Sequence, residues 1–159
     1  MSELIPSIVL WLLNINLGIA LGAGLYESWI VVPQWLVNQP ESGNRWNAEA
    51  ARKANVGLRF WVYVTTVPLT LLTVASLLTV WWTPQPVRTW WVIACAVVLV
   101  ERVITFTYFI PTMLKLTGGR ALSESSAAAK AHQWVTLGYV RHAATLIAWL
   151  AALMALSRS

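Results

Sequence analysis

Charge is scarce in this chain: Asp, Glu, Lys and Arg make up 11% of its 159 residues, whereas an ordinary soluble domain carries about 25%. Against 58% hydrophobic residues, that scarcity excludes a soluble globular protein. Cysteine is confined to Cys95, so no internal disulfide, CxxC motif or zinc cluster can form, and inside an apolar stretch this residue reads as a small buried hydrophobe. Histidine is confined to His132 and His142 on one expected helix. They stand about 15 Å apart in rise and roughly 80° apart around the axis, too far to grip one haem iron or metal ion. His132 reads as an interfacial residue. The sequence has no Glu-x-x-His pair, no Gly-rich phosphate loop and no indicated Ser-His-Asp set, so neither a metal nor a cofactor is expected. The +5 balance has no cluster on a soluble face, which argues against a nucleic-acid partner.

Long apolar stretches are what the chain does have. Four of them, 5–37, 56–82, 87–116 and 127–156, exceed the roughly 20 helical residues that cross a hydrocarbon core. The expected fold is all-α: one integral membrane domain over residues 1–159, an antiparallel four-helix bundle in contact with membrane lipid. The first apolar run follows Glu3 with no Lys or Arg before it and outlasts a signal-peptide core, so it reads as a retained span. Residues 38–55 form a polar loop with Pro40, Ser42 and Gly43, whose second half, 48–53, is expected to begin a helix running into the second span. Thr83, Pro84, Gln85 and Pro86 form a tight turn. Gly118 and Gly119 follow a helix end, and Ser123 to Ser126 supply a cap for the last helix.

Basic residues segregate by side. Arg45, Arg52, Lys53, Arg59, Lys115, Arg120 and Lys130 flank or fill the first and third loops, and only Arg88 and Arg158 lie opposite. The bias of Lys and Arg toward cytoplasmic loops therefore predicts a bacterial inner-membrane protein with both termini outside the cytoplasm. Of the eleven tryptophans, Trp81, Trp82, Trp90 and Trp91 bracket the outer turn, and Trp35, Trp46 and Trp134 fall near the inner ends, as interfacial belts do. Trp29 and Trp61 lie deeper and are candidates to line a pocket.

Each span also carries an ionisable residue, which inside a membrane normally faces a bundle interior or a partner. At a period of about 3.6 residues, polar stripes emerge: Asn16, Ala20, Ala23 and Glu27; Arg59, Tyr63, Thr66, Thr70 and Thr73; Glu101, Thr105, Tyr108 and Thr112; Trp134, Gly138, Arg141, Thr145 and Ala148. Pro68 kinks the second span and frees the carbonyl of Val64. Gly18 and Gly22 offer a small-xxx-small surface for close helix approach. Depth along the helices allows two acid–base pairs, Glu27 with Arg59 and Glu101 with Arg141, with Arg102 and His142 adding donors at the pocket edge. Such pairs can equally serve as register pins, and Ser or Thr can bond back to its own helix backbone.

Two segments carry a resemblance. Thr105-Phe-Thr-Tyr-Phe-Ile-Pro111-Thr112-Met-Leu-Lys-Leu116 and Trp134-Val-Thr-Leu137-Gly-Tyr-Val-Arg141-His142 resemble the paired signatures of the anthrone oxygenase-like family of small four-helix membrane proteins. Thr105, Pro111, Thr112, Leu116, Trp134, Leu137 and Arg141 match that pattern. Met113 and Gly138 stand where the fungal pattern has asparagine. The resemblance implies an oxygenase without an evident cofactor, oxidising an apolar, enolisable aromatic or polycyclic substrate with molecular oxygen.

Joined to the residues, that implication makes His142 the base, since imidazole has an ordinary pKa of about 6.5, with Glu101 as the alternative. Arg141 would hold the enolate oxygen. Tyr108 and Thr105 would donate hydrogen bonds to the substrate, and Glu27, Arg59, Tyr63 and Asn16 would complete the substrate wall. The rival expectation is a non-catalytic subunit or assembly factor, partnered by a second copy of the chain or a larger membrane complex, with its charges fixing helix register. A pocket of a few hundred Å³ lined from all four stripes favours the enzyme.

Overall fold

The computed structural model of the protein describes residues 4–39, 43–118 and 123–159. Glu3, Pro40, Ser42, Gly119 and Arg120 lie outside the described residues. Four helical spans, Leu4–Gln34, Gly57–Trp82, Val87–Thr117 and Glu124–Leu156, are each long and apolar enough to cross a membrane. In chain order the elements are α1 (Leu4–Tyr26), β1 (Leu36–Gln39), β2 (Gly43–Trp46), α2 (Ala48–Ala54), α3 (Val67–Thr79), α4 (Val87–Ile104), α5 (Ile110–Thr117) and α6 (Glu124–Leu156). Span one packs on spans two and four, and span three packs on span four along its length.

Three of the spans are interrupted by wider π-helical turns: Glu27–Val31, Gly57–Thr66 and Thr105–Phe109. Each is followed, at the second residue, by a proline: Pro33, Pro68 and Pro111. Proline has no N–H for the carbonyl four residues back and its ring clashes with that carbonyl. A bulge to i→i+5 bonding just before it relieves the conflict without breaking the helix. At Pro68 the solution includes span one, because Asn16 Nδ2 donates to the Val64 carbonyl at 2.8 Å. Span four has no proline and runs as one unbroken α-helix of 33 residues.

The connections differ from expectation at one place. Residues 48–54 do form a helix, α2, capped by Asn47 Oδ1 accepting from Ala50 N at 2.9 Å. It does not run into span two, because Asn55 takes the left-handed conformation (φ 46°), which asparagine tolerates and which ends the helix. The loop before it is a two-stranded antiparallel hairpin pairing Leu36 with Trp46. At the opposite end, Arg88 donates through Nε and Nη2 to the Thr83 carbonyl at 3.0 and 2.8 Å and clamps the turn. Ser123 caps α6 by accepting from Ser126 N at 3.4 Å.

Two cores divide the bundle. Toward the turn, Leu10, Leu13, Leu17, Trp91, Val98 and a row of alanines on α6 close-pack, and Asn14 Nδ2 ties spans one and four by donating to the Ala152 carbonyl at 3.2 Å. Trp91 belongs to this core, fully buried, and is no interfacial anchor. Toward the hairpin, Trp35, Trp46, Phe109, Leu116 and Trp134 form the second core. Trp46 Nε1 donates to Leu116 O at 3.0 Å and Trp134 Nε1 to Phe109 O at 3.2 Å, so both indoles fasten the hairpin-end part of span three.

Glycine use also departs from the expected helix seam. Gly18 lies under the ring of Trp149, and nothing approaches within 4 Å of a side chain added at Gly22. The tight position is Gly24, where an added Cβ would stand 2.5 Å from His142 Cε1 and 2.8 Å from its Nδ1. Only a glycine lets that ring lie against span one.

Candidate functional site

Between the two cores lies a cavity of about 360 Å³ lined by residues of all four spans and of α2. The space exists because spans two and three diverge: among the described residues, their close packing is confined to the turn end, where α3 meets α4. Toward the hairpin, the π-helical part of span two leans on span one, and α2 crosses over to pack on α5. The gap left inside is walled by Trp61, Thr65 and Leu69 on span two, Glu101, Arg102, Thr105 and Phe109 on span three, Glu27 on span one, and Arg141, His142 and Thr145 on span four.

The charged groups pair differently from the sequence expectation. Glu101 is buried and binds its neighbour Arg102, whose Nε and Nη2 donate to the carboxylate at 2.7 and 2.9 Å, and Thr105 Oγ1 adds a third bond at 3.1 Å. Residues one apart on a helix point about 100° away from each other, so this pair is invisible to a facing-residue argument; the long arginine chain folds back to make it. Glu101 therefore forms no ion pair with Arg141. Glu27 is likewise not paired with Arg59. It accepts from Trp61 Nε1 at 2.9 Å, and the Arg59 side chain is exposed on the outer surface.

Of the two arginines that spans three and four place in the wall, Arg102 is paired and Arg141 has no carboxylate within ion-pair distance among the described residues. Its guanidinium lies over the ring of Phe109, Cζ 4.4 Å from the centroid, and 5.8 Å from that of Trp61. Both distances fall within the roughly 6 Å over which a ring quadrupole attracts a cation. Glu101 and Glu27 act on it through space without touching it. His142, the next residue, is buried on the cavity wall, and its Nε2 is hydrogen-bonded to Ser28 Oγ at 2.9 Å. Nδ1 has no described partner and would stand 2.8 Å from a Cβ added at Gly24, so the ring fills the place that this glycine leaves.

The remaining sequence candidates divide. Thr105 lines the cavity. Tyr63 does not: it is 73% exposed. Tyr108 is turned away as well, its buried hydroxyl without a partner, and Phe109 takes the place at the cavity wall. Asn16 serves the Val64 carbonyl and does not line the cavity. Trp29 is exposed, whereas Trp61 is in the wall. Thr145 bonds back to the Arg141 carbonyl at 3.0 Å, the local habit of a hydroxyl in an apolar helix.

Ser28, Gly24 and Phe109 were not legible as site residues. Ser28 and Gly24 act through His142 across a helix interface, and Phe109 sits one residue off the expected stripe. Among the described residues no group of three or more His, Cys, Asp or Glu side chains converges as a metal-binding cluster would. No family model, no curated protein and no solved structure matches this chain.

Proposed function

We propose that the four spans cross a membrane as an antiparallel bundle and that the chain is a membrane-embedded oxygenase, working without a bound cofactor on a small, apolar, enolisable substrate. What carries this reading is Arg141, a cation with no close counter-charge held over two aromatic rings in a cavity of about 360 Å³, with an imidazole beside it. The size falls within the roughly 300 to 1,000 Å³ of small-molecule sites. The resemblance to anthrone oxygenase-like proteins supports the same chemistry.

In the proposed reaction a CH₂ group next to a conjugated carbonyl loses a proton to the His142 imidazole, which Ser28 holds through Nε2. The electron pair moves onto the carbonyl oxygen, and Arg141 stabilises that enolate with its planar, charged set of donors. The enolate gives one electron to O₂ and the two radicals join as a peroxide. His142 returns its proton to the peroxide, and the hydroperoxide loses water, together with the second C–H hydrogen, to leave a ketone. One O₂ is consumed and one water released. The ion pair of Glu101 and Arg102 keeps its own charges neutralised and leaves Arg141 to the substrate.

The test is oxygen uptake by purified, metal-free protein with a panel of anthrone-like phenols and enolisable polycyclic ketones. The expected result is uptake above buffer, lowered by about 10²-fold or more in Arg141→Lys and His142→Gln, since general-base and oxyanion groups each contribute roughly that much. Buffer-level uptake across the panel, with a stoichiometric membrane partner copurifying, replaces this reading with that of a non-catalytic subunit. The basic residues flanking the hairpin end favour placing that end in the cytoplasm and both termini outside.

A further inference from the structure

The flanks of the cavity are informative about how a ligand reaches it. Leu58 on span two and Leu114 on span three both line the cavity, yet they are 61% and 64% exposed on the outer surface. A side chain that touches both the inner space and the outside marks an opening. Leu58 lies in the π-helical start of span two and Leu114 in α5, the segments whose divergence creates the cavity. Toward the hairpin the opening is bounded by Arg52 and Asn55, at the end of α2. The sides are apolar and the opening is lateral.

Deep in the cavity, the ionisable groups outside the Glu101–Arg102 pair of span three lie the other way: Arg141 and His142 belong to span four, and Glu27 to span one, the two spans opposite the opening. Leu58, Val62, Ile110 and Leu114 are on the flanks. A ligand that suits both zones has a compact polar head with a hydrogen-bond acceptor and an apolar remainder, because a hydrocarbon end against the charged wall would leave those groups unanswered.

We infer that the cleft between Leu58 and Leu114 is a lateral portal through which a single-headed lipophile passes from the bilayer into the cavity, head first, so that its oxygen reaches Arg141 and its apolar part stays between spans two and three. The portal concerns access and occupancy, and it stands or falls apart from the oxygenase reaction, since a binder with no chemistry would need it equally.

A thiol placed in the wall reads that access. In a Cys95→Ala background, Met113→Cys would be followed in liposomes with a membrane-partitioning N-alkyl maleimide and, separately, with a charged, water-soluble thiosulfonate. The alkyl reagent should label it at least tenfold faster than the charged one. Leu58→Trp and Leu114→Trp, each made at an exposed position that tolerates a larger ring, should slow the alkyl labelling at least fivefold. Leu71→Trp, on the lipid-facing side of span two and outside the cavity lining, should leave it unchanged.

Preloading with 4-nonylphenol should protect the thiol, nonylbenzene should not, and Arg141→Leu should abolish the difference. Equal labelling with the flanks blocked, or faster labelling by the charged reagent, would overturn the portal. Equal protection by the phenol and the hydrocarbon would overturn the head-first seating. Oxygen uptake is not read in any of these measurements, so a failure here and a failure of the proposed reaction are distinct results.

Discussion

The two halves of the bundle are built from similar apolar helices and end in opposite states. Toward the turn, regular α-helix brings Leu10, Leu13, Leu17 and Trp91 into a dry core with almost no exposed surface. Toward the hairpin, π turns precede Pro33, Pro68 and Pro111, spans two and three part, and the space between them is a cavity of about 360 Å³ with charge on its wall. The difference teaches that the cavity is a backbone feature. Prolines at corresponding places in three spans force wider turns, and the wider turns decide which side chains look inward.

The largest expected effect concerns the ion pair in the hollow half. Glu101→Leu should strand the buried Arg102 guanidinium and destabilise the protein by about 3 to 5 kcal/mol. Glu101→Leu with Arg102→Leu should regain most of that loss, and Glu101→Leu with Arg141→Leu should not. Reversible unfolding in mixed micelles measures all three. Recovery with Arg141→Leu alone would reinstate the pairing expected from helical stripes.

A packing comparison comes next. Leu13→Ala in the turn-end core should cost about 2 to 5 kcal/mol, because its neighbours cannot collapse into the void. Met113→Ala, on a wall that already faces empty space, should cost less than about 1 kcal/mol by the same reasoning. Equal losses would mean that the hairpin half is as tightly packed as the other.

Gly24 and Gly22 give a smaller contrast on one helix. Gly24→Ala should cost about 1 to 3 kcal/mol, as overpacking does, and shift the imidazole resonances of His142 as its bond to Ser28 is lost. Gly22→Ala meets nothing within 4 Å and should be neutral or slightly stabilising, alanine being the better helix former. Smallest of all, Arg59→Gln and Tyr63→Phe, on the outer surface, should each change stability by no more than about 0.5 kcal/mol.

Reading the sequence served span four best. Of its stripe, Trp134, Arg141 and Thr145 line the cavity while Gly138 and Ala148 are buried outside its lining, and 33 residues of unbroken α-helix keep all five to one inward face at a period of about 3.6. On span two the same method chose Arg59 and Tyr63, which point outward, and Thr66, which lines the cavity, and missed Thr65. An i→i+5 turn holds roughly four and a half residues, so across ten of them the stripe slips by roughly half a turn. On span three the slip is shorter, and Phe109 replaces Tyr108. The prolines were visible and the freed Val64 carbonyl followed from Pro68, but a proline predicts a disturbance without saying whether the helix kinks, breaks or widens. The four spans, the turn at 83–86 and the cap at Ser123 depended on composition and local chemistry, which no register shift disturbs.

The π-helical course of span two is the point on which the cavity depends, and a nitroxide scan through residues 57–66 tests it directly. Accessibility to a lipid-soluble paramagnet in nanodiscs should be high at 58, 59 and 63 and lowest at 65, with 61 between them, as their burial requires. Shielding of 59, 63 and 66 together, the pattern of an unbroken α-helix with its polar stripe turned inward, would contradict the account.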